Sequence, residues 1–398
     1  MTRHALISGA SIAGPALAHQ LAARGWRTTV VERAPGLREE GQNIDVKGAG
    51  REVARRMGIE EDIRAAGTTE LGLRFVDEHG AALAEFPVGD DRVGTANREI
   101  LRGELSRILH EHTRSGTDYR FGTQITAIDD HGDGVRVRLS NGEIVDADVV
   151  VLAEGLRSRT RAMAFPEARV HELGMYCAYL TVPRLADDDR WWNWHHALDT
   201  RAVHLRPDNL GTTRAVLSFL TPLRGLEELD RAQQVLVLRR TFADVGWAAP
   251  RILDVIQEAP FYFDAIGQAR MPRWSNGRVA LLGDAAFCAS PIAGMSTSLA
   301  LVGAYVLAGE LAAADDPRAA MSRYETIVRP YVERAQRLMP GLPRFGNPGT
   351  RRERDMLIRF FRVVNSPVAR RMGDLIGKRY GPPADAIDLP AYPEAATA

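Results

Sequence analysis

The sequence predicts a two-domain protein of mixed α/β class, with an antiparallel sheet in its second domain and helices toward its C-terminal end. Three observations lead to this prediction. A strand, a glycine-rich turn, a helix and a second strand follow one another within residues 4–32, which is the order of a βαβ unit. Short strand-like segments alternate with loops over residues 169–268. Apolar or amphipathic helical patterns dominate from residue 295 onward.

The composition is that of an ordinary globular protein. The chain has 398 residues, 45% of them hydrophobic and 26% charged, and its formal net charge at pH 7 is zero. This length allows two or three domains, and the neutral balance argues against binding to nucleic acid or to a membrane surface by bulk electrostatics. Cys177 and Cys288 lie far apart, so neither a disulfide framework nor a zinc site is predicted. Scattered histidines likewise predict no metal site.

The N-terminal apolar stretch does not have the pattern of a signal peptide. Gly9, Gly14 and Pro15 interrupt it, and a strand-like segment ending at Glu32 follows. No uninterrupted apolar segment reaches the roughly 20 residues that a bilayer-spanning helix needs. We therefore expect a cytoplasmic protein, monomeric or homodimeric, without a membrane or nucleic-acid partner.

The first turn has the pattern of a dinucleotide-binding site. Residues 9–15 read Gly-Ala-Ser-Ile-Ala-Gly-Pro, a G-x-G-x-x-G frame with serine at the middle position. The first glycine allows the tight turn, the last allows close packing of helix on strand, and the helix N-terminus directs N–H groups at a pyrophosphate. An acidic residue at the end of the second strand can accept from a ribose hydroxyl. The residues predicted to bind the dinucleotide, FAD or NAD, are Gly9, Ser11, Ala13, Gly14, Glu32 and Arg33.

Two later segments distinguish FAD from NAD. Residues 152–161 read LAEGLRSRTR, and Gly283-Asp284 follows a buried strand. Together with the first turn they resemble the three signature motifs of group A flavoprotein monooxygenases, which have the p-hydroxybenzoate hydroxylase fold, and the resemblance extends over most of the chain. It implies a discontinuous, Rossmann-like FAD-binding domain of residues 1–70, 95–168 and 269–315, a substrate-binding domain of residues 71–94 and 169–268, and a C-terminal helical segment with an extended or frayed tail over residues 316–398.

The resemblance also implies roles for residues near the flavin. Asp284 would bind the ribityl hydroxyls, although an acidic residue here could instead cap a helix. The following helix N-terminus is suited to negative charge on reduced flavin, because its dipole is positive there. The other residues implied at this end of the cofactor are Gly283, Pro291, Gly294 and Met295.

Three further charged residues are assigned by resemblance. Arg98 begins the family's R-x-x-L-x-x-x-L pattern within a predicted helix over residues 97–113, and its side chain would reach the cofactor. The stretch 37–48 resembles the tetracycline-inactivating branch of the family, which implies that Asp45 contacts FAD and Arg38 contacts the nicotinamide donor; the alternative is that both are exposed loop charges. Glu154 stands where the family usually has aspartate, and we expect it near the donor nucleotide.

The family's reaction implies what the chain would do. NAD(P)H reduces FAD, O2 gives a flavin C4a-hydroperoxide, and one oxygen atom passes to an aromatic or polycyclic phenol or enol. Antibiotic tailoring or inactivation is the implied setting. Because the cofactor carries this chemistry, no catalytic side chain is predicted. The alternatives are an FAD-dependent reductase or isomerase on the same fold, or a flavin-binding protein without catalytic activity.

The substrate pocket is expected between the two domains. The tryptophan-rich stretch 191–196 lies in the second domain and could line the pocket, although packing within a sheet would explain the same residues. The residues predicted to contact substrate are Trp192, Trp194, His196, Phe219 and Pro291.

Overall fold

A computed structural model describes residues 2–38, 41–88, 99–364 and 384–393. The strands are β1 (His4–Ser8), β2 (Arg27–Glu32), β3 (Asn43–Asp45), β4 (Gly72–Val76), β5 (Ala82–Pro87), β6 (Glu99–Leu101), β7 (Thr117–Phe121), β8 (Ile125–Asp130), β9 (Val135–Leu139), β10 (Ile144–Ala147), β11 (Val149–Leu152), β12 (Val170–Pro183), β13 (Trp192–His196), β14 (Arg201–Pro207), β15 (Thr212–Leu220), β16 (Phe261–Ala269), β17 (Ser275–Asn276) and β18 (Val279–Leu281). The helices are α1 (Ala13–Ala22), α2 (Ala49–Arg56), α3 (Glu60–Ala65), α4 (Arg102–Thr113), α5 (Arg161–Ala164), α6 (Arg231–Phe242), α7 (Ala249–Val255), α8 (Asp284–Phe287), α9 (Ser296–Ala313), α10 (Pro317–Ala335), α11 (Leu342–Gly346) and α12 (Arg351–Val364).

A six-stranded sheet in the order β17-β18-β11-β1-β2-β7 forms the centre of the first domain. Its strands pair in parallel, except that β17 is antiparallel to β18. All residues of β1 and β11 are buried, which is why both read as continuous apolar runs rather than alternating ones. The predicted βαβ unit is therefore present, and the α/β fold class is confirmed.

A seven-stranded sheet in the order β16-β12-β15-β14-β13-β4-β5 forms the second domain. Its strands pair antiparallel except at β13 and β4. Along β12 and β15, alternate side chains pack against α6 and α7 in a separate apolar core, and the others face the opposite side. Because the two sheets are built from different segments of the chain, we propose the division into an FAD-binding domain, a substrate-binding domain and a C-terminal segment stated in the sequence analysis.

One predicted helix begins later than its sequence pattern suggests. Residues 99–101 form β6, which pairs antiparallel with β3, and α4 starts only at Arg102. The pairing places Ile44 opposite Ile100 and buries Ile100 completely. Tertiary pairing therefore overrides helical propensity over this first turn.

Helix α9 is long and apolar enough to cross a membrane by length and composition, but 83% of its 18 residues are buried within the protein. It packs against α1, α2 and α10. A helix that is apolar on all sides belongs either in a protein core or in a bilayer, and here the protein supplies the apolar surroundings.

Residues 384–393 of the C-terminal tail are docked on the first domain rather than frayed. The carbonyl oxygen of Ala384 accepts a hydrogen bond of 2.9 Å from the amide of Ala49. The Tyr392 hydroxyl donates to Glu310 Oε1 at 2.7 Å, and its ring lies over Gly309, where a Cβ would come within 2.2 Å of it. The expectation of fraying is thus corrected for residues 384–393.

Candidate active site

The turn between β1 and α1 can be made only with glycine at two positions. Gly9 has a φ of +113°, and a Cβ there would lie 2.4 Å from the carbonyl oxygen of Ala153. A Cβ on Gly14 would lie 1.9 Å from the carbonyl oxygen of Gly9. Helix α1 begins at Ala13 and has no side-chain cap among the described residues. Its first N–H groups are therefore available to a phosphate.

Glu32 stabilises this turn by accepting hydrogen bonds from two backbone amides. Its Oε2 accepts a hydrogen bond from the amide of Ala10 at 3.0 Å, and its Oε1 accepts from the amide of Ala34 at 2.9 Å. The carboxylate keeps lone pairs for a ribose hydroxyl. A cleft of about 40 Å³ brings the residues predicted for the two nucleotides together: Gly9, Glu32, Arg33, Arg38 and Glu154.

Glu154 connects the ends of two neighbouring strands. Its Oε1 accepts from the Ser8 hydroxyl at 2.5 Å, and its Oε2 accepts from the Ser158 hydroxyl at 2.8 Å and from the Thr160 amide at 3.2 Å. The side chain therefore holds the loop after β11 against β1, a structural role that the sequence did not reveal. Its contact with a donor nucleotide stays a prediction.

Arg98 lies outside the described residues, but a second arginine reaches the turn. Arg102, the first residue of α4, donates from Nη1 to the Ser11 hydroxyl at 3.0 Å. A Cβ on Gly41 would come within 2.5 Å of its Nε. The pattern Arg102-x-x-Leu105-x-x-x-Leu109 repeats the spacing that begins at Arg98, so the motif itself did not decide between the two residues.

Asp284 follows a second glycine that fits closely against the first turn. Gly283 has a φ of +63°, and a Cβ there would lie 2.9 Å from the Cβ of Ala13. Asp284 is the first residue of α8 and does not cap it. Burial raises the pKa of Asp284, while the nearby Ser296 and Cys288 side chains oppose the rise. The carboxylate thus lies beside both the dinucleotide turn and the start of α9.

The loop between α8 and α9, residues 288–295, places two further charges. It contains a single 310 turn at Pro291–Ala293, then Gly294 with a φ of +59° and the buried Met295. Lys47 Nζ lies 3.3 Å from the position of a Cβ on Gly294 and pairs with Asp45 at 3.4 Å. Burial raises the pKa of Asp45, and the charge of Lys47 opposes that rise. Asp45 is therefore not an exposed loop charge.

These features fit FAD. The glycine turn and the uncapped α1 suit a pyrophosphate, Glu32 suits the adenosine ribose, and Asp284 is the first residue of α8, the short helix before the loop that leads to α9. When bound, FAD supplies electron transfer and oxygen activation. The residues that would hold it are Gly9, Ser11, Ala13, Gly14, Glu32, Arg33, Asp45, Arg102, Gly283, Asp284, Pro291, Gly294 and Met295.

A cavity of about 320 Å³ lies beside the same loop. Pro291 and Ile292 form one wall, and α11 contributes Leu342 and Pro343. The opposite wall is the outer face of the second sheet, with aromatic, sulfur-containing and polar side chains from β12 to β15. Its volume is within the range of small-molecule sites, roughly 300–1,000 Å³. A groove of about 520 Å³ between α3 and α4 is larger, but it is an open surface feature away from this loop.

The predicted substrate residues divide into two groups. Trp192, Trp194 and Pro291 line the cavity. Phe219 does not: it points to the other face of β15 and stacks on Tyr176 at 5.7 Å, because side chains alternate along a strand. His196 shares a face with the two tryptophans but lies further along β13. It stacks on Phe75 at 5.1 Å and lines a separate cavity under α12. Both expectations are corrected.

A buried ionic cluster borders the substrate cavity. The Arg206 guanidinium lies 3.9 Å from the centre of the Trp192 ring, donates to Glu70 at 3.0 Å and pairs with Glu99. Burial raises the pKa of Glu70, and Arg206 opposes this. The three residues are far apart in sequence, and no local pattern links them, so sequence reasoning missed the cluster.

Sequence comparisons show which proteins this chain is related to. A family model described as an FAD binding domain matches residues 2–339. An uncharacterized protein of Mycobacterium tuberculosis is 39% identical over 342 residues, covering 84% of this chain and 92% of its own. The flavin-dependent monooxygenase eupH of a Phoma species is 38% identical over 365 residues, covering 82% and 84%.

A solved structure extends the agreement to the fold. The crystal structure of tetracycline destructase Tet(51) has a TM-score of 0.81 and 30% identity, covering 99% of this chain and 100% of its own. The resemblance drawn from the sequence motifs is confirmed. Shared sequence and shared architecture over most of its length assign the chain to the FAD-binding family of flavin-dependent monooxygenases.

Proposed function

We propose that the chain consumes NAD(P)H and O2 to hydroxylate an aromatic or polycyclic small molecule that carries a phenol or enol, in antibiotic tailoring or inactivation. The observation that supports it is the composition of the cavity, in which Trp192 and Trp194 face the Pro291–Ile292 wall of the flavin loop. Two indoles on one wall suit a planar, electron-rich ring system. The similarity to the tetracycline destructase Tet(51) supports the same substrate class.

In this proposal the chain's own residues bind and orient the substrate and exclude water from it. The indole rings of Trp192 and Trp194 stack at a centroid distance of 5.5 Å and would hold a planar substrate beside the loop. Leu342 and Pro343 of α11 close the cavity on its far side, which keeps water from the reacting atoms. The N-terminal end of α9, at Ser296, favours negative charge next to that loop.

The donor site and the cellular setting are part of the same proposal. Arg38 and Glu154 lie in the cleft next to Gly9, where a donor nucleotide would approach. Cys177 and Cys288 are both buried free thiols, which suits a reducing compartment such as the cytoplasm. We propose a monomer or homodimer that needs no membrane.

The test is oxygen incorporation by the FAD-loaded protein. Tetracyclines and hydroxylated anthraquinones would be supplied with NADH or NADPH, and NAD(P)H loss, O2 uptake and 18O in the product would be measured. We expect substrate-stimulated NAD(P)H oxidation with one 18O atom per product. A Trp194→Ala variant should raise KM by about tenfold through lost ring contact. Trp191→Ala, which removes an indole stacked on Arg74 outside the cavity, is the control.

The alternatives predict different results. A reductase or isomerase would convert substrate without incorporating 18O. A flavin-binding protein without catalytic activity would retain FAD but show no substrate-stimulated oxidation of NAD(P)H. Either outcome would overturn the proposal while leaving the fold and the flavin site unchanged.

A further inference from the structure

The docked tail, residues 384–393, crosses three helices of the first domain. The carbonyl oxygen of Ala384 accepts from the Tyr331 hydroxyl of α10 at 3.0 Å as well as from the first amide of α2. The carbonyl oxygen of Pro390 accepts from the Tyr305 hydroxyl of α9 at 2.7 Å. The tail therefore joins α2, α9 and α10. The tail side chains that pack against the apolar core of this domain are Ala384, Ala386, Ile387, Leu389 and Tyr392.

Two glycines of the first domain leave the space that the tail occupies. A Cβ on Gly48, the residue before α2, would lie 2.2 Å from the Ala384 carbonyl oxygen, and one on Gly309 of α9 would lie 2.2 Å from the Tyr392 ring. Glycine destabilises the interior of a helix relative to alanine, so its presence within α9 requires a reason. The close approach of the tyrosine ring provides one, and the surface under the tail is therefore shaped for it.

Ala384 docks against the segment that carries two charges of the flavin site. Asp45 and Lys47 directly precede α2, and Lys47 Nζ lies beside Gly294 of the flavin loop. On its other side this segment is held by the buried Ser298 of α9, whose hydroxyl accepts from the Lys47 amide at 3.2 Å and donates to the Lys47 carbonyl oxygen at 2.9 Å. The segment is therefore held between the start of α9 and the tail.

The tail also provides a cap that α2 lacks. Among the described residues no side chain caps this helix, and the first N–H groups of a helix have no partner within it. The carbonyl oxygen of Ala384 accepts from the amide of Ala49, the first residue of α2, at 2.9 Å. Gly48, at the junction, has a φ of +54° and great conformational freedom. Removal of the tail would therefore loosen the start of α2 directly beside the two charges.

We propose that the tail acts as a strap that positions Asp45 and Lys47 for FAD. The strap caps α2 at one end, and at its other end the Tyr392 ring covers Gly309. Tyr392 is accordingly a positioning residue, which acts on the cofactor through the segment before α2. This inference goes beyond the proposed function, because it concerns the binding of FAD and does not depend on which substrate is oxidised or on whether oxygen is incorporated.

The Kd for FAD tests the strap without turnover, measured from the recovery of flavin fluorescence as the loaded protein is diluted. If loss of the strap leaves the segment in its binding conformation about one tenth of the time, the Kd rises about tenfold. We expect this rise in a variant that ends at residue 383 and in Tyr392→Ala. Tyr392→Phe keeps the ring over Gly309 and should show only part of the rise. Asp388→Ala, at an exposed position of the same tail, is the matched control and should leave the Kd unchanged.

A double-mutant cycle distinguishes positioning from general support of the fold. If the strap acts through Asp45, the Asp45→Asn variant has already lost what the strap provides, so adding Tyr392→Ala should raise its Kd by less than about twofold. Arg102→Gln weakens the phosphate turn instead, and there Tyr392→Ala should still raise the Kd about tenfold, because the effects of independent sites add.

Two results would overturn the inference. One is an unchanged Kd for FAD in Tyr392→Ala, which also decides the matter if the truncated variant does not fold. The other is an equal effect of Tyr392→Ala in the Asp45→Asn and Arg102→Gln backgrounds, which would mean that the tail supports the fold as a whole. Neither result bears on the proposed function, since the measurement involves no substrate.

Discussion

Gly14 packs against Gly9 so closely that a Cβ on residue 14 would sit 1.9 Å from the Gly9 carbonyl oxygen. This distance is far inside van der Waals contact, and the atom it meets is backbone, so no side chain can move aside. The phosphate-binding turn and the packing of α1 on β1 therefore both require that residue 14 has no Cβ.

Gly14→Ala should accordingly lose both stability and bound cofactor. Forcing the turn apart should cost about 1–3 kcal/mol or more and displace the N–H groups that face the pyrophosphate. The ratio of visible flavin absorbance to protein absorbance should fall, together with the melting temperature. Gly36→Ala is the control, because a Cβ at residue 36 meets nothing within 4 Å. A Gly14→Ala protein with full FAD content would contradict this account.

Substituting Arg102 and Arg98 one at a time would distinguish their roles in FAD binding. Arg102 donates to Ser11 within the phosphate turn, so Arg102→Gln should raise the Kd for FAD by about tenfold or more through the loss of a charge-assisted contact. If Arg102 is the residue that the family motif describes, Arg98→Gln should change the Kd by less than about twofold. Fluorescence titration of apoprotein with FAD measures both values. A larger increase in the Kd for FAD in Arg98→Gln than in Arg102→Gln would show that Arg98 is the residue that reaches the cofactor.

The parts of the fold that were predictable are those with local patterns. The buried run at β1, the glycines at 9 and 14 and the carboxylate at Glu32 lie within one short segment, so sequence spacing alone relates them. The hairpin of β4 and β5 was also predictable, because alternation and a turn are local features. The start of α4 was not, since the pairing of Ile100 with Ile44 joins distant parts of the chain.

The candidate site was predictable at the cofactor and less so at the substrate. Phe219 and Trp194 are equally aromatic in sequence, but the side of the strand that faces α6 decides that Phe219 is core. Arg206 on β14 pairs with Glu70, just before β4, and with Glu99, in β6, so only tertiary structure brings the three residues together.

Arg206→Met should destabilise the protein in a pH-dependent manner. It would leave Glu70 and Glu99 buried without their cation, which costs about 3–5 kcal/mol when the carboxylates are ionised. Burial already raises the pKa of Glu70, and losing Arg206 raises it further. A raised pKa in the folded state favours the protonated form, so the deficit should shrink as the pH falls and grow as it rises.

Urea unfolding at pH 7 and pH 9.5 would measure the Arg206 deficit, because burial raises the pKa of Glu70 to about 8 and the deficit grows only above that pH. Arg273→Met is the control: Arg273 pairs with Glu167 at 2.7 Å on the surface, and such an exposed pair contributes little to stability. A deficit in Arg206→Met that is equal at both pH values would mean that the two carboxylates do not carry the cost.

His196 should contribute to loss of stability in mild acid. It is 3% exposed and stacks on Phe75, and burial, with Arg354 and His195 nearby, lowers its pKa to about 3. The unfolded chain, with an ordinary pKa of about 6.5, binds the proton first. The contribution of His196 to the free energy of unfolding is therefore complete above about pH 6.5. It decreases as the pH falls toward 3, by at most about 1.4 kcal/mol per pH unit.

His196→Phe would retain the stacked ring and remove the proton-binding site. Between pH 6.5 and 4.5 its free energy of unfolding should fall less steeply than that of the unmodified protein, while His4 and His110, which burial also affects, contribute equally to both. Urea titrations at several pH values measure the two slopes. His79→Phe, at an exposed position, should leave the slope unchanged. Parallel slopes for His196→Phe and the unmodified protein would mean that the imidazole of His196 is accessible to protons in the folded state.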